Sequence, residues 1–263
     1  MSRLNLRVKL LPLALLTVCS ALVNACDSAA DEADTVIAYL GNDHISTETL
    51  GQDSRWTYDE SSKNAVMVVA SGKNHAYISS SDGKVISRQS ASDDWCDEKI
   101  EASDIDISGK RLVILRSGLV YTKTVCSGEW KQESGVDDGT AVAISGQKIL
   151  FLRSDGAVYG KDGGSNWAQE AVPGSATMID VGANGFEMYA NATNVYSRPS
   201  GDSNWHCVVS ESAVAGIAVG NNSQMIIRSD GYAFIKTVTV LTEGVWTRLS
   251  ASEEYYSIAA NGI

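Results

Sequence analysis

The chain has 263 residues, with 21 Lys and Arg against 32 Asp and Glu, a formal charge of −11. So acidic a balance argues against nucleic acid and against electrostatic adsorption to anionic lipid. Three prolines, 23 glycines and no sustained helical periodicity after residue 35 point to one turn-rich, all-β domain.

Residues 1–25 read as an export signal. Arg3, Arg7 and Lys9 form a basic start, and residues 10–23 an apolar run too short to favour a spanning helix. The run ends in Val23-Asn24-Ala25-Cys26, which resembles the bacterial lipobox. That resemblance implies cleavage before Cys26, lipidation there, and anchoring to a bacterial membrane, facing the periplasm or the cell surface. The plainer reading is an ordinary secretory signal before a chance Cys. Residues 26–34 then comprise the acylated Cys and an acidic tether, DSAADEAD, with no apolar periodicity. Its eight residues reach at most about 28 Å, keeping the domain close to its membrane. Without the three cations of the leader the basic count is 18 against 32 acids, a charge of −14.

Residues 35–263 repeat one unit, clearest in AVAISGQKILFLRSDGAVYGKDGGSNW, which ends at Trp167. Trp56, Trp95, Trp130, Trp167, Trp205 and Trp246 lie 39, 35, 37, 38 and 41 residues apart. Periods near 40 with four short strand-like runs are the mark of propeller blades. Strand a is small and apolar (VAIS, IAV). Strand b alternates or is an apolar run (ILFLR, LVILR, QMIIR), strand c carries Val-Tyr, and strand d carries the Trp. Asp82-Gly83, Asp155-Gly156 and Asp230-Gly231 stand between b and c, where Asp-Gly favours a type I′ hairpin.

The two ends complete the count. Five intervals separate the first and last Trp. Before Trp56 come candidate strands b and c (residues 35–40 and 45–50), and a strand d at 55–58; after Trp246 comes one more strand a, at 256–260. The expected fold is a six-bladed β-propeller whose C-terminal strand completes the N-terminal blade and closes the ring.

Candidate chemistry is sparse. His44, His75 and His206 show no metal-ligand spacing, and no nucleophile elbow, phosphate loop or paired-Cys motif is present, so no catalytic residue, metal or cofactor is expected. Asp104-Ile105-Asp106-Ile107-Ser108-Gly109 has the start of a calcium loop but falls on strand a, which cannot wrap a cation. Asp106 and Asp180 align with Ala143, Ala218 and Ala259 of other units. They are candidates for an acidic feature near the central channel; the plainer role is hydrogen bonding to neighbouring backbone. Cys96 and Cys126, on adjacent outer strands, are a candidate disulfide, leaving Cys207 over. Asp162-Gly163-Gly164-Ser165-Asn166-Trp167 resembles the Asp-box of sialidase-type propellers, a structural turn. One Trp per blade at a fixed place is what inter-blade packing needs.

The pattern I-x-V-G…V-Y-x-R/K…W resembles the tectonin repeat of tachylectin-like lectins over residues 35–263. The resemblance implies a non-enzymatic binding module for a surface glycan or lipopolysaccharide, working through several equivalent weak sites. ISGQKILFLRSDGAVY and SIAANG are also similar to repeats of the regulator-of-chromosome-condensation type. The second functional expectation is a protein-interaction scaffold in an envelope assembly, because the loops before each Trp differ (SASDD, CSGE, DGGSN, GDSN, TEG). The expected partners are therefore an envelope glycan or glycolipid, or an envelope protein, with membrane contact through the lipid anchor alone.

Overall fold

The structure, a computed structural model, describes residues 8–9, 36–41, 44–49, 57–59 and, with short internal gaps, 65–248. Cys26, Trp56 and the strand expected at 256–260 lie outside the described residues. A two-residue strand, β1 (Val8–Lys9), is followed by β2 (Val36–Gly41), β3 (His44–Thr49) and β4 (Thr57–Asp59), which form a three-stranded antiparallel sheet.

Five four-strand units follow. Blade I comprises β5 (Ala65–Ser71), β6 (Asn74–Ser79), β7 (Lys84–Arg88) and β8 (Cys96–Glu101). Blade II comprises β9 (Asp104–Ser108), β10 (Arg111–Arg116), β11 (Leu119–Thr124) and β12 (Ser127–Glu133). Blade III comprises β13 (Gly139–Ser145), β14 (Lys148–Arg153), β15 (Val158–Asp162) and β16 (Ala168–Ala171). Blade IV comprises β17 (Met178–Val181), β18 (Glu187–Ala190), β19 (Val195–Arg198) and β20 (His206–Val209). Blade V comprises β21 (Val214–Val219), β22 (Ser223–Arg228), β23 (Ala233–Thr237) and β24 (Thr247–Arg248). Strands within each blade pair antiparallel in sequence order, and the inner strands β5, β9, β13, β17 and β21 pack side by side in series. This is a β-propeller. β1 pairs with the inner strand β5, Val8 opposite Val68, so two residues of the stretch read as leader join a sheet.

The continuous apolar runs of strand b follow from this geometry. A blade is covered on both faces, so alternate residues serve different neighbours. Leu112 and Ile114 pack on blade I with Met67 and Val69, while Val113 and Leu115 pack on blade III with Val142 and Ile144. Each of the four described seams between consecutive blades thus holds its own apolar cluster.

The b–c turns differ from the expected type I′. At Asp82-Gly83 and Asp155-Gly156 positive φ is confined to the Gly (68° and 81°). The Asp side chain instead accepts the N–H two residues on, from Lys84 (3.2 Å) and Ala157 (2.9 Å), and this local bond holds the Asp in ordinary backbone space. Ser117-Gly118 is the turn with both central residues at positive φ, 50° and 75°.

Charges lock the seams. The residue three after the Trp is Glu98, Glu133 or Glu170 in blades I to III. Each sits at the joint with the next blade and takes a cation from that blade's strand c: Lys123, Lys161 (2.8 Å) and Arg198 respectively. The same cation lies over the Trp of its own blade, Lys123 over Trp130 at 5.6 Å and Arg198 over Trp205 at 4.3 Å. The indole N–H of Trp130 and of Trp205 donates to the backbone carbonyl of Glu98 (2.9 Å) and Glu170 (2.8 Å). From within the blade, Ser87 and Thr122 donate a hydroxyl to Glu98 and Glu133. Blade III has Gly160 at that place, and Lys148 occupies the vacated room, 3.0 Å from Glu170 and 2.9 Å from Glu187. A Cβ on Gly160 would stand 2.4 Å from the Glu170 carboxylate.

Burial works against the charge on Glu170, but hydrogen bonds from Arg198 and Lys148 outweigh it and hold its carboxyl below the ordinary range. Glu133 is likewise lowered, with Lys161 and Thr122 overcoming burial. A depressed native pKa contributes stability above the unfolded value of about 4.3 that is lost as pH falls through the native value. Glu170→Gln should therefore lower stability by roughly 3 kcal/mol at pH 7 and flatten its loss below about pH 4.3. Urea midpoints at pH 7 and pH 3 check this; equal midpoints for variant and parent at pH 7 would contradict the lock.

Candidate functional site

The inner-strand acids act between blades. Asp106 is 1% exposed; its Oδ2 accepts the Ile144 N–H of β13 (2.7 Å) and its Oδ1 the Ile107 N–H (2.9 Å). Asp104 accepts the Val142 N–H (2.8 Å), and Asp180 the Val219 N–H of β21 (2.7 Å). Ser71 and Ser108 extend the series, accepting the N–H of Gly109 and of Gly146, both at 2.8 Å. Inner strands of neighbouring blades form no common sheet, so their facing amides need side-chain acceptors. Among the described residues, no group of three or more His, Cys, Asp and Glu is arranged to hold a metal ion.

Cys96 and Cys126 are joined by a disulfide, Cα atoms 5.6 Å apart, linking blade I to the c–d turn of blade II. Closing a loop of 30 residues in separation is worth about 3–4 kcal/mol in the chain-entropy account. Cys207 is free and exposed. His75 is buried and accepts from Arg88 Nε (3.1 Å), while His206 sits 3.4 Å from Asp202 in blade IV. The Asp-box stretch of blade III is a turn in which Asp162 N–H bonds to Ser165 Oγ (2.9 Å).

Blade II carries an open groove of about 560 Å³ on the face of its a–b and c–d turns. It lies beside a c–d hairpin that stays paired up to its tip, Thr124 opposite Ser127. Strands c and d are joined by two residues in blade II but by seven, five, seven and nine in blades I, III, IV and V, although Tyr121 and Trp130 are nine residues apart and their blade III counterparts Tyr159 and Trp167 eight. In blade III the connection bonds to its own a–b turn through Gly163 N–H to Gln147 O (3.0 Å). The short turn of blade II is pinned from below: Val125 is fully buried, its N–H donates to Lys110 O (2.8 Å), Cys126 N–H donates to Glu98 (2.8 Å), and Cys126 carries the disulfide.

The groove is polar and cationic in an acidic protein. Lys110, Arg111 and Lys123 line it, with Gln147 on the blade III side and Glu129 on strand d. Lys123 is held by Glu98. Arg111 reaches Glu133 at only 3.7 Å and Gln147 at 3.4 Å, and Glu133 is already held by Lys161 at 2.8 Å. Lys110 Nζ touches the neutral amide of Gln89 at 3.2 Å, and among the described residues no carboxylate pairs with it. Nothing in the sequence marks this site: the short Trp95–Trp130 interval of 35 residues loses its residues before strand c, and Tyr121 to Trp130 is nine residues, as Tyr196 to Trp205 is.

No protein-family profile and no curated protein matches the chain. Among solved structures, Hsv2 of Kluyveromyces lactis is similar with a TM-score of 0.61 at 7% identity, over 85% of this chain and 82% of that one. Human WBSCR16 gives 0.61 at 12% identity, covering 82% and 79%. Prp20p of Saccharomyces cerevisiae, the yeast RCC1, whose binding to Gsp1p and histones accompanies its structure, gives 0.60 at 10% identity, covering 83% and 76%. These likenesses establish the β-propeller fold.

If Asp106 is an inter-blade acceptor, Asp106→Ala should cost roughly 3 kcal/mol by leaving buried amides unpaired. Thermal and urea unfolding measure it. Unchanged stability together with a lost metal or ligand response would return Asp106 to the binding candidates.

Proposed function

We propose that the chain is an exported, lipid-anchored, six-bladed β-propeller without enzymatic activity, serving as a protein-interaction scaffold of the bacterial envelope. The observation that carries the reading is the groove of blade II, beside a c–d hairpin paired up to a two-residue turn. A multivalent lectin of the tectonin kind needs the same site in each blade, whereas the residues of these connections differ from blade to blade. The tryptophans available for sugar stacking are half-buried, and Trp130, Trp205 and Trp246 spend their indole N–H groups on the preceding blade. Divergent faces on a common ring suit recognition of a particular protein surface. The described binding of Prp20p to Gsp1p and histones is a precedent for such use of the fold.

Ring closure belongs to the same proposal. The sheet β2–β4 has three strands where the blades have four, its strand after Trp56 is outermost, and β2 packs against β5. Its described residues include no inner strand, and residues 256–260 would supply one. Ending the chain at residue 255 should lower the melting temperature strongly, and Cys26→Ser should release the protein from the membrane fraction; a chain unaffected by either change would remove that part of the proposal.

The deciding experiment is binding by the full chain. Crosslinking in native membranes, followed by titration against the purified crosslinked protein, should give saturable one-to-one binding. Saturable binding of glycan or lipopolysaccharide at several sites per chain, with no protein captured, would overturn the scaffold in favour of the lectin.

A further inference from the structure

We propose that the blade II groove receives an acidic segment of the protein partner, its carboxylates seated on Arg111 and Lys110; this rests on the protein-interaction reading above. The argument begins with charge. A cation satisfied within the fold offers little to a ligand, and Lys123 is so satisfied by Glu98. Lys110 and Arg111 are not: one meets a neutral amide, the other a carboxylate 3.7 Å away that Lys161 already holds. Both line the groove, Lys110 from the a–b turn with its head at Gln89 of blade I and Arg111 from the start of β10 with its head at Gln147 of blade III. Aligned turns do not repeat the pair; blade III has Gln147-Lys148, with Lys148 turned into the seam toward Glu170 and Glu187. The guanidinium fork matches a carboxylate, which a partner brings as an Asp or Glu side chain.

Shape narrows the class further. At about 560 Å³ the groove has the volume of a small-molecule cleft, well beyond a single small anion. No aromatic side chain lines it, so a sugar ring finds no face to stack on, while serine and threonine hydroxyls and Gln147 can meet a peptide backbone. The chain as a whole carries −11, which opposes an acidic partner at long range. Screening over about 8 Å at physiological salt removes that field and leaves the contact charges of the groove to decide. Glu129, which also lines the groove, opposes an acidic ligand.

The test uses the full chain and a fluorescein-labelled hexaglutamate peptide at physiological salt, followed by anisotropy. Hexalysine, oligogalacturonate and inorganic phosphate are the comparison probes. Hexaglutamate should bind saturably at one site. Replacing Lys110 and Arg111 together by Ala should weaken it by roughly tenfold or more while leaving the melting temperature within a few degrees. Glu129→Gln should strengthen binding severalfold. Equal binding by parent and double variant overturns the proposal. So does oligogalacturonate or phosphate binding through Lys110 and Arg111 where the peptide does not bind. If the purified partner binds the double variant as tightly as the parent, the groove assignment fails and the scaffold reading survives; if the parent chain binds no protein at all, both fall.

Discussion

The described blades depend on a carboxylate placed three residues after the tryptophan. Glu98, Glu133 and Glu170 are each engaged from two sides, by a donor in their own blade and a cation in the next. Buried ion pairs contribute little net stability relative to well-packed apolar residues, because desolvation offsets most of the attraction, yet breaking one strands a charge. Their effect is on register. The apolar clusters between blades attract without direction and would tolerate a slide of one blade past another. A carboxylate that must meet a cation, while its own carbonyl meets an indole N–H, fixes the height and tilt at which neighbours dock. The inner-strand acceptors Asp104, Asp106 and Asp180 do the same near the axis. Apolar contact supplies the association, and polar contact selects a single geometry.

Much of the architecture was legible because it is periodic. The tryptophan spacing and apolar runs located the blades, and the strands before Trp56, read at 35–40 and 45–50, are found at Val36–Gly41 and His44–Thr49. Turn chemistry was legible only in part. Asp-Gly marks the b–c hairpins correctly, but Asp82 and Asp155 use their carboxylates to cap the backbone and so never need positive φ. The seam charges were written in the sequence as Trp followed three residues later by Glu, together with Lys or Arg two residues after Val-Tyr. Reading them required knowing that the two belong to successive blades and meet across a seam, which local periodicity does not contain.

The groove was hidden for a different reason. Motif searches look for residues that recur, and this site depends on how far the c and d strands of one blade stay paired, which residue spacing does not contain. The hairpin tip stands beside Lys110 and Arg111 and is tied down. The disulfide, the buried Val125 and the bond from Cys126 to Glu98 are that tie. The blade II hairpin therefore coincides with the described disulfide and with the cations of the groove.

The latch also erodes along the chain. Val208 replaces the glutamate in blade IV, and that seam has the Trp246 N–H bond to the Val208 carbonyl (3.2 Å), the Gln224–Ser197 bond and the Val219 N–H bond to Asp180. The apolar cluster there, with Met188, Val195, Val219 and Ile226, is as continuous as the others, so attraction between the blades is retained. In a series of units that contact only their neighbours, local stability follows the weakest joint. Blades I to IV, charge-locked and with I and II crosslinked, form the stiff part of the described series. The groove lies within that stiff part, where a preformed surface loses least entropy on meeting a partner.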